Sequence, residues 1–244
     1  MGARKTGRSS RSRFSRSRLN KKSVARKNPT KPTVPYVLIV CEGSKTEHEY
    51  LIWFREAGRL SNVKMLLLDK GTKSSPTSVA NEAIKKIERT GPASDGGFDK
   101  LFCVIDRDTH SDFESGCQKI DGISERFGSG FIPNGCELIL SVPCFEFWLL
   151  LHFERTRRPF EKTGRASPCD NVIARLRNHT SFEDYDRKGK GIYRNQWGQL
   201  SERYESAVKN AEHTLKEYKR DGEINPSTNV HHLTEYLQGK RRDN

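Results

Sequence analysis

The sequence predicts an α/β fold, a mostly parallel sheet flanked by helices, with a helical C-terminal elaboration and a disordered basic N-terminal tail. Three observations predict it. Apolar runs of strand length recur near 36–41, 63–68, 101–105 and 137–141, as expected of strands buried on both faces. Stretches with apolar residues at helical spacing separate them, the alternation that builds a parallel sheet with helices on both sides. Residues 1–32 hold twelve Lys and Arg, no Asp or Glu, and almost nothing apolar, so they cannot bury a core.

Each element follows from its local pattern. YVLIVC at Tyr36 to Cys41 is the first strand, and the helix after it, about Thr46 to Ala57, carries Tyr50, Leu51 and Phe54 on one face and stops near Gly58. Val63 to Leu68 is the second strand. The GTKSSPTS loop follows, then a helix with Val79, Ala83, Ile84 and Ile87 on one side. GPASDGG resets the chain before the third strand, Leu101 to Ile105, which leads through Asp106-Arg107-Asp108 into a helix from about Asp112 to Phe127. Glu137 to Ser141 is the fourth strand and Phe145 to Phe153 an apolar helix.

After Glu154 the pattern changes. Residues 155–170 read as a mobile basic loop whose Arg157 and Arg158 are candidate nucleic-acid contacts, and a helix is expected around Asn171 to Asn178. Tyr185 to Arg194 is a Gly- and Lys-rich loop with Lys188 and Lys190, ahead of a long polar helix from about Trp197 to Lys219. Pro226 opens a final short helix. The expected organisation is a basic arm over 1–33, a core over 34–154 that carries the chemistry, and a helical elaboration over 155–244 packed on that core.

Composition narrows the function. The formal charge is +13, and subtracting the +12 of residues 1–32 leaves +1 for the rest, so the polyanion-seeking character sits in the arm. Arg11, Arg13, Arg16, Arg18, Lys21 and Lys22 there are candidates for sequence-independent contact with nucleic-acid phosphates. An arm with no specific role and an organellar transit peptide are the competing readings. No stretch approaches a membrane span, since Pro143 and Glu146 interrupt the longest apolar segment, and no secretory apolar region opens the chain. Cys41, Cys103, Cys117, Cys136, Cys144 and Cys169 show no C-x-x-C or His-paired zinc spacing. Cys41, Cys103 and Cys136 fall in or beside apolar strands, where free Cys serves as a small hydrophobe. That usage suits a reducing cytoplasm.

The chemistry is expected at strand tips. The first strand ends on Glu42-Gly43 and the third on Asp106-Arg107-Asp108, and in open α/β sheets ligands bind outside the carboxyl ends of the strands. Two residues apart on an extended chain, Asp106 and Asp108 point to one side and could hold one Mg²⁺. The competing readings are a turn or cap for the Asp-x-Asp and a capping box of Ser44 with Glu47 for the first segment. Glu47 is read as a capping residue.

VLIVCEGSKTEHEYL, FCVIDRD, LILSVPCFEFWLLLHF and INPSTNVHHL together resemble the RloB-like family of prokaryotic defence-associated proteins, which is similar to the Toprim nucleases. The resemblance spans about residues 36–238 and implies a Toprim-like (Rossmann-like) core. It implies that Glu42 is a general acid or base and that Asp106 and Asp108 bind Mg²⁺ or Mn²⁺. It further implies metal-dependent nuclease activity on DNA or RNA in phage defence and abortive infection, often beside an ATPase. No G-x-x-x-x-G-K-[ST] is present, so such an ATPase is a separate chain. Val142 before Pro143 departs from the polar residue expected there.

Other positions carry two readings each. Glu146, just past the fourth strand, is either a metal ligand at the same edge or a helix-start carboxylate favoured by the dipole. Lys45 either meets a substrate phosphate at the first helix N-terminus or is a surface lysine. Lys188 and Lys190 either steady transition-state charge or sit in a solvated loop. His152 is read as a core histidine. A binding-class alternative to the nuclease is a non-catalytic nucleic-acid-binding regulator, or a partner subunit of a defence ATPase.

Overall fold

The computed structural model describes residues 34–43, 45–58, 60, 64–68, 75–107, 111–186 and 194–239. The expected basic arm, Asp108, Lys188 and Lys190 therefore lie outside the described residues, as does Ser44. Residues from Val34 onward form one compact unit.

A five-stranded sheet, among the described residues, has the order β2-β1-β3-β4-β5. β1 (Tyr36–Cys41), β2 (Lys64–Leu68), β3 (Lys100–Asp106) and β4 (Cys136–Val142) run parallel. Continuous aliphatic runs form these strands because both faces are covered. Along β1, side chains alternate between two cores. Val37, Ile39 and Cys41 meet α1 (Thr46–Ala57) and helices of the C-terminal half, whereas Leu38 and Val40 meet α2 (Pro76–Thr90), α3 (Phe113–Asp121) and α4 (Ile123–Phe131). α2 starts on Pro76, whose fixed φ suits a first helical turn, and packs Val79, Ala80, Ala83, Ile84 and Ile87 inward.

Three elements depart from expectation. The helix expected over 112–127 is two, broken at Gly122. The long polar helix is also two, α7 (Arg194–Glu202) and α8 (Tyr204–Asp221). Pro226 does not open a helix. It precedes a two-residue strand, β5 (Ser227–Thr228), antiparallel to β4, and the final helix, α9, begins at Val230. Between them the Asn229 side chain accepts from Leu140 N–H at 2.7 Å and donates to the Leu138 carbonyl at 2.9 Å, which satisfies the β4 edge as a further strand residue would.

The apolar segment after β4 folds as α5 (Glu146–Leu150), all five residues buried. α6 (Pro168–Leu176) follows, opened by a Ser167–Asp170 capping box. The loop between them is tied down. Arg157 forms ion pairs with Glu217 at 3.5 Å and Asp221 at 3.2 Å, and donates to the Pro226 and Glu223 carbonyls. No helix of the described residues is long and apolar enough to cross a membrane.

Candidate metal centre

From β1 the chain moves outward to β2 and then returns past β1 to β3, with α1 on one face of the sheet and α2 on the other. The loops leaving β1 and β3 therefore part in opposite directions and open a crevice at the carboxyl edge between them. Glu42 follows β1 directly, and Asp106 is the last residue of β3. The ladder continues through both. Glu42 N–H donates to the Val104 carbonyl at 2.9 Å, and Asp106 N–H donates to Glu42 Oε2 at 3.2 Å.

Two further carboxylates converge here. β4 lies beside β3, with Ser141 opposite Asp106, and its chain turns through Pro143-Cys144-Phe145 into α5, so Glu146 arrives at the same edge. The Phe145 backbone N–H faces the Asp106 carboxyl and favours its charged form. Glu47, in the first turn of α1, folds back over Gly43, and the Gly43 and Glu47 backbone N–H groups favour its charged form. Glu42, Glu47 and Glu146 are 5%, 6% and 3% exposed.

Crowding shows in the protonation equilibria. Burial, followed by the charges of Glu146 and Glu42, raises the pKa of Glu47 to about 7. Burial also raises Asp106 well above the usual carboxylate range, with Glu47, Glu146 and Glu42 adding to it. Like charges that share a desolvated crevice resist ionising together.

A hard divalent cation relieves this repulsion and takes oxygen ligands. Asp106 Oδ1 is fully buried without a hydrogen-bond partner, the atom such an ion would satisfy. No three of the four carboxylates bring oxygens within 4.8 Å of one another. That spacing suits Mg²⁺ or Mn²⁺ bound directly by one or two carboxylates, with its own waters reaching the others. Among the described residues the tighter group is Cys144, Glu146 and Cys169, but its two sulfurs form a disulfide and so present no thiolate to a metal. Cys41, Cys103 and Cys136 are free as expected, and so is Cys117.

The capping reading of Glu47 is corrected. The N-cap of α1 is Lys45, with no side-chain cap bond, and Glu47 points into the acidic crevice. Its sequence signal was Gly43, where a Cβ would overlap the Glu47 carboxylate. Gly43 φ lies outside the left-handed region, so Gly43→Ala strains no backbone and should displace only that side chain. We expect the variant to fold with a near-native melting temperature and to bind Mn²⁺ about tenfold more weakly. Unchanged Mn²⁺ affinity by calorimetry would remove Glu47 from the centre.

Reasoning along the chain also missed Tyr185 and Thr46. The Tyr185 hydroxyl donates to Glu146 Oε1 at 3.0 Å, and Thr46 Oγ1 lies 2.8 Å from that hydroxyl and 3.2 Å from Oε1. Lys45 stands exposed at the start of α1 and Arg158 is exposed in its loop. Arg157, by contrast, is spent on Glu217 and Asp221, a staple of the C-terminal half in place of the expected nucleic-acid contact. His152 is buried with Nδ1 3.0 Å from the Trp148 carbonyl, and burial lowers its pKa to about 4, which keeps it neutral.

Fold and site together define a mostly parallel α/β protein with a carboxylate cluster at the point where the strand order reverses. The chain belongs to the family described as RloB-like protein, which it matches over residues 37–237. The match runs from β1 into α9 and takes in every residue of the crevice. Neither the curated proteins nor the solved structures contain a match to this chain.

Proposed function

We propose that the protein is a metal-dependent nuclease of Toprim type that hydrolyses phosphodiester bonds of DNA or RNA with Mg²⁺ or Mn²⁺. The supporting observation is the buried, unpartnered Asp106 Oδ1 amid Glu42, Glu47 and Glu146 at the switch point of the sheet. Asp106 and Glu42 would hold the ion, together with Asp108, and Glu146 and Glu47 would reach its waters. A bound divalent ion supplies Lewis acidity toward the phosphate and lowers the pKa of water. Glu42 moves a proton at the attacking water or leaving oxygen, as the Toprim resemblance implies. Glu47, with a pKa raised to about 7, is matched to accept that proton near neutral pH. The basic arm, Arg158, Lys45, Lys188 and Lys190 would supply cations for the substrate phosphates. The setting we infer is cytoplasmic phage defence by abortive infection, alongside a separately encoded ATPase.

A second reading, a binding regulator without catalysis, is favoured by the charge of the arm, which alone accounts for +12 of +13. One experiment separates the two. Purified protein is incubated with plasmid, single-stranded DNA and total RNA, with Mg²⁺ or with chelator. Cleavage lost on chelation supports the nuclease, whereas binding without cleavage in any arm supports the regulator. Binding should weaken with a slope of log K against log salt of about −5 if roughly half the arm cations engage duplex phosphates. Deleting residues 1–32 should flatten that slope and leave cleavage at excess substrate in place. Identical slopes would take the arm out of substrate binding.

A further inference from the structure

We propose that Tyr185, seated by Thr46, is a positioning residue for Glu146, so that the C-terminal half of the chain completes a centre built on the sheet; this rests on the reading of the crevice as a divalent-metal site. The strand tips contribute carboxylates, which when ionised only accept hydrogen bonds, and a buried acceptor without donors is costly. Glu42 accepts from the Asp106 N–H, and backbone N–H groups of Phe145 and of Gly43 and Glu47 face the carboxylates of Asp106 and Glu47. Glu146 is supported by side chains. Its Oε1 takes the Tyr185 hydroxyl at 3.0 Å, with Thr46 Oγ1 at 3.2 Å. Each hydroxyl carries one proton, so Tyr185 donates to Glu146 while Thr46, 2.8 Å from the Tyr185 oxygen, donates to one of the two oxygens it faces. Tyr185 and Thr46 are 1% and 4% exposed, which leaves solvent little access to replace either donor.

The placement of Tyr185 comes from outside the crevice. Its backbone carbonyl accepts from Arg177 Nε at 2.9 Å, just past α6, and its ring packs against Phe182, which in turn meets Phe153. The hydroxyl is therefore held at a fixed point whether or not the crevice is charged. The last torsion of a glutamate is broad, and the Tyr185 hydroxyl narrows it for Glu146 together with Thr46 Oγ1 on the same oxygen and Cys169 Sγ 3.4 Å from Oε2. A donor on Oε1 fixes its plane and the direction in which it meets the ion or the water of that ion. Outer-shell hydrogen bonds of this kind are typically worth about 10–100-fold in metal affinity.

The test is calorimetric titration of Mn²⁺ and Mg²⁺ into the full chain, with circular dichroism as the check on folding. Tyr185→Phe, which keeps the ring, should weaken binding of both ions by about tenfold or more. Thr46→Val should weaken it less, and Thr46→Ser, which restores the hydroxyl, should bind as the wild type does; a purely structural role would leave affinity unmoved in all three. Wild-type affinity in folded Tyr185→Phe overturns the proposal while the metal centre stands. Failure of the wild-type protein to bind either ion overturns the metal reading and the proposal with it. If Tyr185→Phe does not fold, the Thr46→Val and Thr46→Ser pair decides the matter, and equal affinities for that pair overturn it.

Discussion

Asp106→Asn should make the metal-free protein more stable and at the same time abolish both its stabilisation by Mg²⁺ and its phosphodiester cleavage. Asn keeps the size of the side chain and an oxygen that faces the Phe145 N–H. What it removes is a charge in a desolvated crevice, opposed by burial first and then by Glu47, Glu146 and Glu42. Because the folded state opposes ionisation of this group, removing it should stabilise the metal-free fold at neutral pH and raise its melting temperature. The same substitution takes a hard anionic ligand from the ion. We expect activity to fall by at least about a thousandfold, beyond the 10–100-fold of outer-shell changes. Thermal melts with chelator and with Mg²⁺, paired with cleavage assays, check both halves. A carboxylate kept for folding alone would give the opposite sign, a variant that is less stable and unchanged in its response to Mg²⁺.

The second large effect is on pH. The carboxyl of Glu47 has an ordinary pKa of 4.5 and one of about 7 in the folded protein. Below about pH 4.5 both folded and unfolded chains hold the proton, and the stability of the buried neutral form is fully present. As pH rises the unfolded chain releases its proton first, and the advantage is lost progressively until the folded group also ionises near 7. The gap corresponds to about 3 kcal/mol. Asp106, raised in the same direction, adds to the loss. Chelated protein should therefore melt at lower temperature at pH 8 than at pH 5. Saturating Mg²⁺ should offset the loss, because the ion requires ionised ligands, so the shift it produces should be small at pH 5 and large at pH 8. Glu47→Gln should flatten the melting profile of the chelated protein across this range. A Glu47→Gln profile that follows the wild type would assign the pH dependence elsewhere.

Much of this centre is legible along the chain. VLIV and FCVI are unbroken aliphatic runs, and such runs become parallel strands whose tips lie at one edge. Glu42 and Asp106 could be placed at that edge without knowing the strand order, and Glu146 followed from a fourth run ending at the same level. β5 escaped notice because a two-residue strand has no period to detect, and its pairing with β4 is set by Asn229 from across the chain. Arg157 looked like a nucleic-acid contact because its partners, Glu217 and Asp221, lie some sixty residues away.

The sequence by itself determined the four parallel strands, the edge on which their carboxylates gather, and the separation of a strongly basic arm from a nearly neutral body, since these depend on local hydrophobic pattern and local charge. Only the tertiary structure decided that Glu47 turns inward over Gly43 and that Tyr185 reaches Thr46 across 139 residues. Local pattern reports the element to which a residue belongs. Which polar groups a buried carboxylate must share is decided by how distant elements pack, because desolvation and like-charge repulsion act through space and are set only when the crevice closes.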